Sequence, residues 1–218
     1  MSTPIVSFYK SRLATDKVRA TLLSLLVFLL PFERIPSVNL FSVTIRASQL
    51  VAIALIFVSL VPIEHFYQRL PRLPKLLLPA FLASYFLSVL LSTDIKRAVM
   101  IFFFTIFVAL IASAIAATIK LEYLPQLEKY LFVATAIVLA FGFYQYLGDI
   151  FGLSSSLTGL REIYTKSVFG FPRIQSTALE PLYYGSYLLI PYCILLAKRL
   201  NRRTRMTTLQ LVLFLAIS

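Results

Sequence analysis

The side chains best suited to chemistry in this chain share one polar stretch, residues 149–181, which reads DIFGLSSSLTGLREIYTKSVFGFPRIQSTALEP. Arg173 stands out because a guanidinium fork can hold two phosphate oxygens at once, which suits it to a catalytic or anion-binding role. Lys166 or Arg161 is near enough in sequence to complete an anion-binding pocket with it. Gln175, Ser176 and Thr177 offer neutral hydrogen bonds, and Glu180 can orient the arginine or bind hydroxyl groups. A plainer reading is an interfacial ion pair between Arg173 and Glu180. The triple serine 154–156 can cap a short helix, and Gly170 with Pro172 turns the chain before Arg173.

Elsewhere the chemical signal is thin. The chain has one histidine and one cysteine. His65 lies in a basic connector without a Cys, Asp or second His beside it, so it reads as an interfacial residue rather than a ligand or base. Cys193 sits inside an apolar run, where a small buried side chain is the simplest expectation. No spacing of His, Cys, Asp or Glu fits a metal site, and no motif calls for a cofactor.

The elements that must hold these groups are hydrophobic. Of 218 residues, 59% are apolar and 14% charged, against about 25% charged in a typical soluble domain. A soluble fold of this size would leave large apolar patches exposed, so lipid is the better solvent. A net charge of +12 raises the question of nucleic acid. The basic residues instead fall in short gaps between apolar runs, where they signal membrane topology.

The predicted fold is an all-α, polytopic transmembrane helical bundle with about six complete spans and the start of a seventh. The spans fall at 18–32, 47–63, 76–92, 98–119, 130–148 and 182–197, and a last apolar run begins at Met206. Four regions follow: a basic tail over 1–17, five helices over 18–148, an exoplasmic segment over 149–181, and the sixth helix, basic loop and partial seventh helix over 182–218. The chain stops inside that last run, so it reads as the amino-terminal portion of a longer protein. Asp94 or Thr93 is expected to cap the fourth helix and close a tight antiparallel hairpin with the third. With the amino terminus inside, the loops on its side carry a net +10 and those on the other face +2. That asymmetry places the amino terminus in the cytoplasm and residues 149–181 outside.

The stretch FGFPRIQSTALEPLYYGSYLLIP, residues 169–191, resembles the signature of the O-antigen ligase and polymerase family. The likeness rests on Arg173, Ser176-Thr177, Glu180-Pro181 and Gly185, and on the succession of short spans before them. The resemblance implies glycan transfer at the periplasmic face of a bacterial inner membrane, from an undecaprenyl-diphosphate-linked donor to a hydroxyl acceptor. Arg173 would then contact the diphosphate, and arginines rather than a metal would neutralise the leaving group. Two other readings stand beside it. One is a transporter of a lipid or small solute, with Gly185 and Pro191 marking a discontinuous helix and Gln49 or Gln145 lining a path. The other is a noncatalytic membrane subunit that holds partners through the alanine-rich fourth span.

Overall fold

The helices begin and end where local chemistry dictates. Helix α1 runs from Pro4–Leu29, with proline in the first turn, where a missing N–H costs nothing. A two-stranded antiparallel hairpin follows, β1 (Ser37–Leu40) on β2 (Val43–Arg46), in a register that pairs Ser37 with Arg46 and Leu40 with Val43. Then come α2 (Ala47–Val58), α3 (Leu60–Arg69), α4 (Arg72–Leu90), α5 (Ile95–Thr118) and α6 (Leu124–Ile150). The one-turn α7 (Ser155–Thr158), α8 (Pro181–Leu200) and α9 (Thr208–Ile217) complete the order. This computed structural model describes residues 4–34, 37–40, 43–165, 170–201 and 206–217.

The chain forms two compact units. The first comprises Met1–Leu23 with Val51–Tyr123, and the second Ser24–Leu50 with Leu124–Ser218.

In the first unit, α4 and α5 form the expected hairpin. The Asp94 carboxylate accepts the Arg97 N–H at 3.1 Å, satisfying one of the free donors at the start of α5. Phe81, Tyr85 and Phe102 stack along it, with ring centroids 6.0 Å apart at each step. Only 6% of the most apolar window of either helix is fully buried, so both leave much of their apolar surface for lipid.

In the second unit α6 is the centre, with 50% of its corresponding window buried. Phe132 and Leu139 of α6 meet Leu195 of α8 and Leu213 of α9 in one core, and Tyr192 stacks on Phe214 at 5.7 Å. At the start of α6, Glu128 accepts from Lys198 Nζ and from Gln210 Nε2, the latter at 2.8 Å. One carboxylate thus ties three helices together.

The number of spans corrects the prediction. Among the described residues, three helical stretches are long and apolar enough to cross a membrane: Arg72–Leu90, Ile95–Thr118 and Leu121–Ile150. A fourth counts only if α2 and α3, which meet at a 66° bend, are taken as one broken span. Among the described residues, six complete spans are not found, for local reasons. The first apolar run belongs to a helix that also carries Lys10, Arg12, Asp16, Lys17 and Arg19. The second is broken at Ser59. The run in α8 is diluted by Tyr183, Tyr184, Tyr187, Tyr192 and Pro191. The chain is helical and membrane-embedded, with fewer crossings than its hydrophobicity suggests.

Candidate functional site

In the second unit, the segment singled out by sequence is stitched down by its own polar residues. Ser176 has φ +50°, a left-handed conformation that costs a non-glycine residue energy unless its surroundings impose it. They do. Its N–H donates to Gln145 Oε1 at 2.8 Å and its hydroxyl to the Val138 carbonyl at 2.6 Å, both on α6. Gln145 Nε2 donates to the Thr158 carbonyl at 3.2 Å. Gln175 Nε2 and Arg34 Nη1 both donate to the Gly159 carbonyl, at 3.1 and 2.8 Å. The Thr177 hydroxyl donates to the Pro31 carbonyl at 2.7 Å, and Glu33 accepts the Leu179 N–H at 2.9 Å.

Gln175 and Ser176 are fully buried; Ser176 fastens the segment to α6, Thr177 fastens it to the turn after α1, and Gln175 ties it to its own Gly159 carbonyl. Arg161, Arg173 and Glu180 are exposed. Arg173 lies over the Tyr164 ring, 5.5 Å from its centroid, and its N–H donates to the Tyr164 carbonyl at 2.6 Å. Among the described residues no ion pair joins Arg173 to Glu180. Lys166 lies outside the described residues. Other expectations shift as well. Gln49 caps the start of α2 by accepting the Arg46 N–H at 2.9 Å, and α8 continues through Gly185 and Pro191 without a break. Cys193 is exposed rather than buried.

The discontinuous helix lies in the first unit instead. Pro62 has no N–H, so the Val58 carbonyl four residues back loses its helical donor. The chain responds by ending α2 there. The Ser59 N–H closes on the Ile56 carbonyl at 3.0 Å, and α3 resumes with Ile63 N–H on the Ser59 carbonyl at 2.8 Å. The freed Val58 carbonyl accepts two hydrogen bonds from Arg19, from Nε at 3.1 Å and Nη2 at 3.0 Å. A cation at the carbonyl end of a helix is also favoured by the helix dipole. Beside this break the Ser59 hydroxyl is buried without a hydrogen-bond partner.

Arg19 uses its remaining prong on a carboxylate. Nη1 donates to Asp16 Oδ1 at 3.1 Å, while Lys120 Nζ donates to Asp16 Oδ2 at 2.8 Å and lies 3.6 Å from Glu122. The hydrogen bond from Lys120 holds the Asp16 carboxyl below the usual carboxylate range, and its counterpart pushes the Lys120 ammonium up. Asp16, Arg19 and Lys120, with Thr15, Val61, Pro62 and His65, line a cavity of about 320 Å³. Sequence reading passed over it. Its only local signals were Pro62 inside an apolar run and one acid among the bases of the tail. Among the described residues no three His, Cys, Asp or Glu side chains converge as a metal would require.

No protein-family model, curated protein or solved structure matches the chain. The resemblance to the O-antigen ligase and polymerase family does not hold, because three or four crossings fall far short of that family's many-span architecture. The glycan-transferring enzyme, its polyprenyl-diphosphate donor and its hydroxyl acceptor fall with it. The association with a lipid bilayer stands, carried by the long apolar helices.

Proposed function

We propose that the chain belongs to a membrane transporter of a small solute, with the break between α2 and α3 as the working part of its path. The observation that carries this reading is the Val58 carbonyl, released by Pro62 and held by Arg19 beside a cavity that Asp16, His65 and Lys120 also line. Irregular backbone in a membrane protein is tolerated where protein or a wet cavity covers it, and interrupted helices are a recurrent way to build solute sites. A helix joined at a bend can swing about it, and the Arg19 contact sets which arrangement is favoured. On the second unit, Arg161, Arg173 and Glu180 remain candidates for meeting solute or lipid headgroups.

The test is uptake of labelled lactate, phosphate, glycerol and glucose into proteoliposomes holding the full chain. At least one should enter faster than into protein-free vesicles, and Arg19→Gln should slow it about ten-fold with membrane insertion unchanged. Uptake no faster than in empty vesicles for all four would favour a noncatalytic membrane subunit.

A further inference from the structure

Asp16 shows what the cavity is shaped to take. Its two carboxylate oxygens are divided between two cations, Oδ1 to Arg19 and Oδ2 to Lys120, although Lys120 lies 104 residues away in sequence. Arg19 is held from behind, because Nε and Nη2 are already committed to the Val58 carbonyl. Its Nη1 therefore keeps its place when Asp16 leaves. Lys120 is also positioned, its ammonium 5.6 Å from the centroid of the Tyr123 ring. A guanidinium and an ammonium set one carboxylate apart form a receptor for a planar, two-oxygen anion.

We propose that Asp16 is a tethered stand-in for a substrate carboxylate, and that the cavity binds a small monocarboxylate which displaces it. This deepens the transporter reading and rests on it for the choice of solute. Among the cavity-lining residues, Arg19 and Lys120 outnumber Asp16, with His65 the other titratable group; Glu122 stands just beyond, on Lys120. Displacing Asp16 leaves both cations for the incoming anion, while the thread from Arg19 to Val58 passes its arrival directly to the break in the helix. Asp16 side-chain exposure of 36% and Lys120 exposure of 45% mean that the exchange needs no buried charge to be stranded.

Binding of lactate to the full chain in detergent, followed by calorimetry, tests this against the isosteric neutral lactamide. Asp16→Asn removes the internal competitor and should tighten lactate about ten-fold, leaving lactamide unbound. Lys120→Gln, which leaves Asp16 on Arg19, should weaken lactate about ten-fold. A second readout is amine acylation followed by mass spectrometry. Lys120 in the Asp16→Asn protein should be protected by lactate but not by lactamide, with exposed Lys129 as the internal reference. Equal lactate affinity in wild type and Asp16→Asn, or binding of lactamide as tight as lactate, overturns the proposal. Solute flux without preference for the carboxylate would reject this inference and keep transport. Lactate binding without flux would keep the carboxylate site and reject transport.

Discussion

Two glutamines of the second unit look alike in sequence and differ in what they hold. Gln145 satisfies the N–H of a residue in a strained conformation as well as the Thr158 carbonyl, whereas Gln175 makes one hydrogen bond and leaves its Oε1 buried without a partner. Gln145→Met should therefore cost about 1–3 kcal/mol, the desolvation penalty of a stranded donor, while Gln175→Met should change stability by less than about 1 kcal/mol. Thermal unfolding in detergent will separate them. At Asp16 the expectation concerns pH. Its carboxyl is held low by Lys120, so its contribution to stability is present above the ordinary Asp value of about 3.9 and is lost as pH falls through the lowered folded value. The raised Lys120 contributes fully below its ordinary value of about 10.4 and loses that contribution only at more alkaline pH. The difference in unfolding temperature between wild type and Asp16→Asn should thus be flat from about pH 5 to 9 and close in acid. It will be small throughout, since the pair is solvent-screened.

At the scale of elements, glycines show how tightly the second unit is packed around α6. A Cβ on Gly148 would lie 2.6 Å from the Thr158 methyl carbon, and Thr158 is a stiff, buried side chain at the end of α7. A Cβ on Gly185, within α8, meets nothing within 4 Å. Gly148→Ala should lower the unfolding temperature, with an overpacking cost of about 1–3 kcal/mol exceeding the helix propensity regained. Gly185→Ala should raise it, through up to about 1 kcal/mol of added stability. If both variants shift the same way, the close approach of α7 to α6 is not what fixes the segment. In the first unit, Pro62→Ala restores a donor to the Val58 carbonyl in competition with Arg19. Spin labels placed on α2 and α3 should then report a longer separation as the 66° bend opens, and solute flux should fall with it.

For the molecule as a whole, the few crossings make a compact set of expectations about the membrane. Nearly unburied α4 and α5 hold the first unit in lipid, so alkaline carbonate should leave the chain in the membrane pellet. In a Cys193→Ser background, cysteines placed at Ser92 and at Leu121, the two ends of α5, should react with an impermeant thiol reagent from opposite faces. Labelling of both from one side would show that α5 does not cross.

Much of this was legible in the residues as written. Continuous apolar runs announce a membrane protein because no aqueous fold hides so much hydrocarbon, and Asp94 announces a helix start because its carboxylate reaches only its own first turn. Such signals act over a few residues, the reach of one helical turn or one hydropathy window. The count of crossings escaped partly because charged and tyrosine-rich turns lower the mean hydropathy of α1 and α8, and partly because a run of apolar letters does not record the break at Ser59. Pro62 frees the Val58 carbonyl, but the sequence is silent on what accepts the vacancy; Arg19 does so from 39 residues away. Likewise the sequence offers Ser176 and Thr177 as hydrogen-bonding groups without showing that folding brings Gln145 and Val138 against the first and Pro31 against the second. Which polar group faces a ligand and which faces a carbonyl depends on pairings distant in the chain, and those are set by packing.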